Sequence, residues 1–134
     1  MFVTAFYMLI DSHNKLLTYG SGGHNNQLLV RSRNKDTIHL NAKGIALGII
    51  NNAQYEEKAL FFEDNDLVVM FTDGVLDLLG NGNMDEGEKK LIEYSLQSLE
   101  KGPDFLISRL KNNLIVQDID KEFLDDFTVL AIQF

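Results

Sequence analysis

The sequence predicts an α+β fold, in which two helices pack on one side of a mainly antiparallel sheet. In the first half of the chain, short apolar runs alternate with polar turn clusters, which is typical of β-hairpins. In the second half, apolar residues recur at helical spacing before a last β-prone run closes the chain. Strands, then helices, then a closing strand is the order expected of an α+β domain.

The predicted strands are short, rich in apolar or β-branched residues and bounded by polar segments. The turn clusters at 11–15, 32–36 and 63–65 predict that the first six strands pair as three hairpins. The strands are predicted at Phe2–Ile10, Leu16–Tyr19, Gln27–Arg31, Thr37–Leu40, Glu57–Phe62, Asp66–Phe71 and Phe127–Ile132.

Two helices are predicted between the sixth and the last strand. The first covers Met84–Leu99, where leucine and isoleucine residues recur every three or four positions. Gly102 ends this helix, and Pro103 suits the first position of the next one because its missing N–H needs no partner there. The second helix is predicted over Pro103–Asn113.

Composition restricts the possible classes of protein. The 134 residues are enough for one domain with a core of its own. The net charge of −8 argues against a nucleic-acid surface and against binding to anionic lipid. The absence of cysteine excludes disulfides and thiolate chemistry, and it fits a reducing compartment.

No targeting or membrane segment is predicted. No apolar run reaches the length of a transmembrane helix, so no membrane insertion is expected. The start of the chain, Met1–Tyr7, has no basic region and no cleavage site typical of a signal peptide. The sequence therefore predicts a cytoplasmic protein.

Two acidic signatures lie far apart in the sequence, each at the end of an apolar run. Asp73 follows the run 67–71, and Asp125 precedes the run 127–132. If these runs are neighbouring strands that end and begin at the same rim of a sheet, the two carboxylates meet there. Carboxylates at close range repel each other unless a cation lies between them. Mg²⁺ and Mn²⁺ take such oxygen ligands, so the pair predicts a metal site.

Each acidic signature also has an interpretation without function. The dipeptide Asp73-Gly74 is common in turns, and its carboxylate can simply cap the segment Val75–Leu79. The pair Asp125-Asp126 before a strand is consistent with solvated charges that block pairing at a sheet edge. The two signatures together are more specific than either alone.

A glycine-rich turn, Ser21–His24, carries the histidine that is the best candidate for chemistry. It is not a P-loop, because no Gly-Lys-Ser/Thr sequence follows it. Its glycines indicate close backbone approach or positive φ. His24 is either a general acid or support for a metal ligand, or else a turn histidine whose ring is satisfied by backbone groups.

Two other glycine-containing segments are predicted to be structural. Gly44–Gly48 has glycines flanking small apolar residues, as expected of a packing turn. Asn81–Glu88 is similar in composition to a calcium-binding loop, but its glycine and glutamate lie at the wrong positions for one. It is therefore predicted to be a surface loop that leads into the first helix.

Several of these segments resemble the motifs of one family, in the same order along the chain. The family is the bacterial PPM-type serine phosphatases, in the stage-II-sporulation-E and sigma-factor-regulating branch. The start of the chain with Asp11 and Leu17–His24 is similar to the pattern mFvTafy…lD…L.YanAGH. Gly44–Gly48 is similar to G.pLG, Asn65–Val75 to GD.lvlyTDGv, and Leu124–Thr128 to the closing DDiT. The resemblance runs from the first residue to the last.

The resemblance implies a sandwich of two antiparallel sheets with helices outside, of which this chain would be the C-terminal portion. It implies hydrolysis of phosphoserine or phosphothreonine on a protein by a water held between two Mn²⁺ or Mg²⁺ ions. In the sigma-regulating branch, such substrates are anti-sigma-factor antagonists. By motif match, Asp73 and Asp125 would ligate one of the ions, with Gly74 and Asp126 as support for the site. The resemblance assigns no direct catalytic role to His24.

The chain also departs from the family pattern. The prolines that usually follow the histidine are replaced by Asn25–Gln27, and the glutamate that usually follows TDGv is Asp77. The larger departure is that no segment here corresponds to the family's N-terminal half. In the family, that half carries a GD aspartate that bridges both metals and a DG.G.G segment.

Residues 1–134 are therefore expected to form a single, partial phosphatase domain with little or no activity alone. Apolar sheet surface left uncovered would favour a homodimer. The alternative is a non-catalytic module that binds a partner or regulates one.

Overall fold

The computed structural model describes residues 1–116 and 126–134. Their strands form two sheets, and their helices follow the sixth strand in sequence. The strands are β1 (Ala5–Asp11), β2 (Leu16–Gly22), β3 (Gln27–Val30), β4 (Thr37–Leu40), β5 (Glu57–Phe61), β6 (Leu67–Phe71) and β7 (Val129–Gln133). The helices are α1 (Asp73–Gly80), α2 (Met84–Lys101) and α3 (Pro103–Val116).

The strands of both sheets pair in antiparallel fashion. One sheet has the order β1-β2-β5 and the other the order β4-β3-β6-β7. Neighbouring strands in both sheets run antiparallel throughout. The α+β class and the mainly antiparallel sheet predicted from the sequence are confirmed.

The four-stranded sheet is buried on both faces, because alternate residues of a strand point to opposite sides. On one face, Leu28, Val69 and Phe71 pack with residues of all three helices in one apolar cluster. On the other face, Leu29 and Val68 pack with residues of the three-stranded sheet. The molecule therefore has three layers: the three-stranded sheet, the four-stranded sheet and the helices. The predicted placement of the helices on one side is confirmed.

The third predicted hairpin is wrong. β5 pairs with β2 in the three-stranded sheet, whereas β6 pairs with β3 and β7 in the other. The connection between β5 and β6 therefore crosses from one sheet to the other. Phe62 in this connection is buried, and its ring stacks on the ring of Phe134 with 3.8 Å between the ring centroids. The first two predicted hairpins, β1–β2 and β3–β4, are present.

α2 and α3 lie close to the predicted positions, but the described residues form three helices where the sequence predicted two: α1, over Asp73–Gly80, was missed. It has only 8 residues, which is too short a run to show a helical period clearly. α2 begins at Met84, after an Asn83 side chain that accepts a hydrogen bond from the backbone N–H of Glu86 at 3.2 Å. This is the helix lead-in predicted for the Asn81–Glu88 segment. α3 begins at Pro103, as predicted. None of the helices in the described ranges is long and apolar enough to cross a membrane.

The outer face of the three-stranded sheet carries exposed apolar side chains. Tyr7 and Leu9 on β1 are 48% and 65% exposed, and Phe61 at the end of β5 is 66% exposed. This is the uncovered apolar surface that the sequence led us to expect. Self-association through this face stays a prediction.

Gly87 lies where α2 packs against α1, and a Cβ atom there would lie 2.0 Å from the carbonyl oxygen of Leu76. Gly87→Ala is therefore expected to lower the free energy of unfolding by about 1–3 kcal/mol, because the backbone of α1 must move. The loss should appear although alanine favours a helix more than glycine does. Urea denaturation measures it, and Glu93→Ala on the exposed side of α2 is the control. Unchanged stability of Gly87→Ala would contradict the tight helix contact.

Candidate functional site

A small pocket lies where the turn after β2 meets the end of β6 and the start of α1. Its volume is about 210 Å³. It brings together residues that are distant in sequence, from the first residues of the chain to the segment before β7. The described residues that line it are Thr4, Gly23, His24, Asn25, Thr72, Asp73 and Asp126.

Asp73 is the first residue of α1 and is exposed in this pocket. The buried strand β6 ends at Phe71, and Thr72 in an extended conformation is the residue that caps the helix. The first N–H groups of a helix have no partner within the helix and carry partial positive charge, which favours a carboxylate at this position. Gly74, the next residue of α1, is buried.

Thr72 connects the end of β6 to the segment that precedes β7. Its hydroxyl donates to the carbonyl oxygen of Asp126 at 2.7 Å and accepts from the backbone N–H of Thr128 at 3.0 Å. Its own backbone N–H donates to the carbonyl oxygen of Thr128 at 3.1 Å. Thr72 thereby fixes Asp126 in the same pocket as Asp73.

The two acidic signatures therefore flank neighbouring strands, with Phe71 opposite Val129 in the register of β6 and β7. Asp125, the second predicted metal ligand, lies outside the described residues. Within residues 1–116 and 126–134, no group of three or more His, Asp or Glu side chains is placed to hold a metal ion. Asp73 supplies a hard oxygen donor of the class that Mg²⁺ and Mn²⁺ prefer, as one part of a ligand set.

His24 is engaged through both ring nitrogens. Nε2 lies 3.3 Å from the carbonyl oxygen of Phe71, and Nδ1 lies 3.2 Å from Oγ1 of Thr4. A carbonyl oxygen only accepts, so Nε2 carries a proton and donates to Phe71, while Nδ1 pairs with the threonine hydroxyl. His24 thus connects the turn to the end of β6, two residues before Asp73. Its contacts agree with the interpretation as a turn histidine that is satisfied by its surroundings.

Gln27 makes a second connection between the turn and β6. Its buried side chain donates to the carbonyl oxygen of Asn25 at 2.8 Å and accepts from the backbone N–H of Phe71. Ser21 closes the turn, because its hydroxyl both accepts from the N–H of His24 and donates to its carbonyl oxygen, each at 3.1 Å. The turn and the start of α1 are therefore held in a fixed relation.

The glycines predicted to be structural pack beneath this turn. A Cβ atom on Gly44 would lie 1.9 Å from the carbonyl oxygen of Ser21, so only glycine fits there. Gly23 has φ of +69°, and a Cβ atom on it would lie 2.6 Å from the backbone nitrogen of Ala46. The prediction that Gly44–Gly48 is a packing turn is consistent with these contacts.

Thr4, Asn25 and Thr72 line the pocket but were not singled out by the sequence. Thr72 precedes the aspartate in the TDG motif, which was the signal that could have identified it. Asn25 stood out only as a departure from the family's prolines. Thr4 lies in the stretch that is similar to the family pattern mFvTafy, and this was the signal that could have identified it.

The pocket is acidic. Asp73 and Asp126 are among the described residues that line it, and none of those residues is lysine or arginine. An anion such as a phosphoryl group would be repelled from it unless a cation lay between the anion and the carboxylates.

Known proteins resemble the chain over nearly its whole length. It is 29% identical to the phosphoserine phosphatase RsbU of Bacillus subtilis over 136 residues, which cover 99% of this chain but 39% of RsbU. It is 26% identical to protein IcfG of Synechocystis over 132 residues, which cover 98% of this chain and 20% of IcfG. The chain therefore spans well under half the length of these relatives.

Solved structures share the fold. The RsbU and RsbW domains of a Mycobacterium tuberculosis protein match with a TM-score of 0.73 and 19% identity, over 97% of this chain and 35% of that chain. The Mn-presoaked phosphatase domain of SpoIIE from Bacillus subtilis matches with a TM-score of 0.69 and 18% identity, over 97% of this chain and 55% of that chain. The model of the stage II sporulation protein E family matches residues 1–134. With the whole chain matched and the fold shared, this protein belongs to the stage II sporulation protein E (SpoIIE) family.

Proposed function

We propose that the chain is the C-terminal part of a metal-dependent protein phosphatase that hydrolyses phosphoserine or phosphothreonine on a regulatory protein of the anti-sigma-factor-antagonist type. The observation that carries this proposal is the position of Asp73, at the first residue of α1 in an acidic pocket without a basic residue among its described lining. Such a pocket can receive a phosphoryl group only through a cation. A relative named as a phosphoserine phosphatase supports the reaction class.

In this proposal, Asp73 and Asp125 hold one Mn²⁺ or Mg²⁺ ion of a two-ion site. When bound, the ions neutralise phosphoryl oxygens and provide a nucleophilic water near neutral pH. Gly74 and Asp126 support the site. Thr72 holds the Asp126 segment against the start of α1, and its hydrogen bonds at 2.7 and 3.0 Å set the spacing between the two acidic segments.

The role of His24 in this proposal is to position other residues. Both of its ring nitrogens are committed, to Phe71 and to Thr4, so neither is left to donate to a leaving group. It fixes the carbonyl oxygen of Phe71 and, through it, the point at which α1 begins. This places Asp73 at the pocket without further adjustment when a ligand enters.

A longer protein that contains residues 1–134 is expected to release phosphate from a phosphoserine protein when Mn²⁺ is present. Residues 1–134 alone are expected to release little or none, because the family resemblance places further metal ligands outside this sequence. Phosphate release is measured with and without excess Mn²⁺, and EDTA should abolish it in the longer protein. Turnover that persists in EDTA would contradict a metal-dependent mechanism.

A non-catalytic module is the second candidate. The observation that favours it is that the described residues hold no group of three metal-ligating side chains. A longer protein that binds a phosphorylated antagonist without releasing phosphate, at any Mn²⁺ concentration, would support this candidate against the enzyme.

A further inference from the structure

Asn25 is one of the residues that line the pocket, together with Asp73 and Asp126, and it follows His24 in sequence. Its Nδ2 and Oδ1 atoms are both buried, and neither has a hydrogen-bond partner. In the described part of the chain, Asn25 is the one side chain whose buried polar atoms lack a partner. This amide therefore needs an explanation.

An unpaired buried amide destabilises the folded chain, because the group loses its bonds to water and gains none in return. Buried polar groups in native proteins are nearly always paired, and exceptions point to a functional role or to an absent ligand. A leucine has almost the same shape and would remove the penalty. The amide is therefore expected to have a role that its contacts within the folded chain do not supply.

The backbone around Asn25 is held firmly, so the amide cannot reach a partner by a simple movement of the turn. Gln27 donates to the carbonyl oxygen of Asn25 at 2.8 Å and accepts from the N–H of Phe71. On the other side, the backbone N–H of His24 donates to Ser21 at 3.1 Å. The amide can therefore gain a partner only by rotation of its own side chain or from a molecule that enters the pocket.

The other side-chain donors in the pocket wall are already committed. The Thr72 hydroxyl donates to the carbonyl oxygen of Asp126. The Thr4 hydroxyl bonds to Nδ1 of His24, and Nε2 of His24 bonds to the carbonyl oxygen of Phe71. Ionised aspartates only accept. Among the described residues that line the pocket, the uncommitted side-chain donor is therefore Nδ2 of Asn25.

We propose that Asn25 contacts the substrate: when the phosphorylated residue enters the pocket, the Asn25 side chain turns toward it and Nδ2 donates a hydrogen bond to a phosphoryl oxygen. This inference rests on the proposed phosphatase function and adds a specificity-determining residue to it. A hydrogen bond to a charged oxygen is among the stronger ones, and an analogue without that oxygen would leave the amide unpaired. Asn25 thereby distinguishes phosphoserine from serine.

The test is a titration of O-phosphoserine into the ¹⁵N-labelled chain in excess Mg²⁺, which is diamagnetic, followed through the side-chain amide signals. The signals of the Asn25 side chain are expected to shift with phosphoserine and not with serine. Asn25→Leu is expected to weaken phosphoserine binding by about ten-fold or more. The same variant is expected to raise the urea midpoint of unfolding, since it removes a buried unpaired amide. Asn26→Leu, at the exposed neighbouring position, is the matched control and should not weaken binding.

Phosphoserine binding by Asn25→Leu that equals binding by the unmodified chain would overturn the role of Asn25 and leave the proposed phosphatase function standing. A lowered urea midpoint would also overturn it, because the amide would then have a structural partner. If phosphoserine leaves every signal of the unmodified chain in place, the Asn25 contact is wrong, and the separate phosphate-release assay decides whether the phosphatase function falls with it.

Discussion

Replacing Asp73 with asparagine is expected to remove Mn²⁺ binding by this chain and to abolish turnover by a longer protein that contains it. The carboxylate lies at the first position of α1 in the acidic pocket, and a neutral amide is a much poorer ligand for a hard divalent ion. The unmodified chain should bind Mn²⁺ weakly, since two carboxylates leave most of an octahedral shell to water. The variant should lose about 100-fold or more in Mn²⁺ affinity. Loss of a residue that only supports a metal ligand costs up to about 100-fold, and loss of a ligand itself should cost at least as much.

Calorimetric titration with Mn²⁺ at neutral pH measures the loss, and circular dichroism checks that the variant folds. Asp104→Asn is the matched control, because Asp104 is also an exposed acidic residue in the first turn of a helix but does not line the pocket. It removes the same favourable interaction with the start of a helix and should leave Mn²⁺ affinity unchanged. Tight binding that survives Asp73→Asn would place the metal site elsewhere.

Replacing Asp66 with asparagine is expected to have the largest effect on stability, with a loss of about 2–4 kcal/mol in the free energy of unfolding. The Asp66 side chain is fully buried and accepts from the Arg31 guanidinium at 2.7 Å, the N–H of Ser32 at 2.8 Å and the N–H of Glu63 at 2.9 Å. An amide has one donor group where the carboxylate has only acceptors, so at least one of these bonds must be lost. Asp66 also connects the β3–β4 turn to the crossing between the two sheets.

The contribution of Asp66 to the free energy of unfolding should decrease at low pH. Burial by itself raises the pKa of the Asp66 carboxyl, but the N–H groups of Glu63 and Ser32 and the Arg31 guanidinium outweigh it and hold the pKa below its ordinary value. A lowered pKa in the folded chain means that the stabilisation is fully present above the unfolded pKa of about 3.9. It is lost as the pH falls through the folded pKa. The stability difference between the unmodified chain and Asp66→Asn should therefore be constant from about pH 5 to pH 7 and should shrink below about pH 4.

Urea denaturation at a series of pH values measures both effects. Asp64→Asn is the control, because Asp64 pairs with Lys15 at 2.8 Å on the surface, where its side chain is 76% exposed. Removing an exposed ion pair should change stability by less than about 1 kcal/mol. Equal losses for the two variants, or an Asp66→Asn difference that grows as the pH falls, would show that Asp66 is not the buried connection described here.

The acidic pocket was partly predictable from sequence. Asp73 follows a buried β-strand in a motif with a known family pattern, and its position at the start of α1 agrees with that pattern. The segment before β7 was expected at the same rim, and Asp126 does lie there. The metal-ligand role of Asp73 and Asp125 stays a prediction, and Asp125 lies outside the described residues.

The sequence by itself determined the order of the seven described strands and of α2 and α3, the antiparallel pairing of β1 with β2 and of β3 with β4, and the positions where α2 and α3 begin, but it did not predict α1. These features depend on residues close together in the chain: turn clusters, helical spacing, and a proline and a glycine at a helix boundary. Only the tertiary structure decided that β5 and β6 belong to different sheets, because an apolar strand has the same pattern in either sheet. It also decided which side chains meet Asp73. Thr4, Asn25 and Asp126 reach the pocket through contacts between residues far apart in sequence, and no local pattern specifies those contacts.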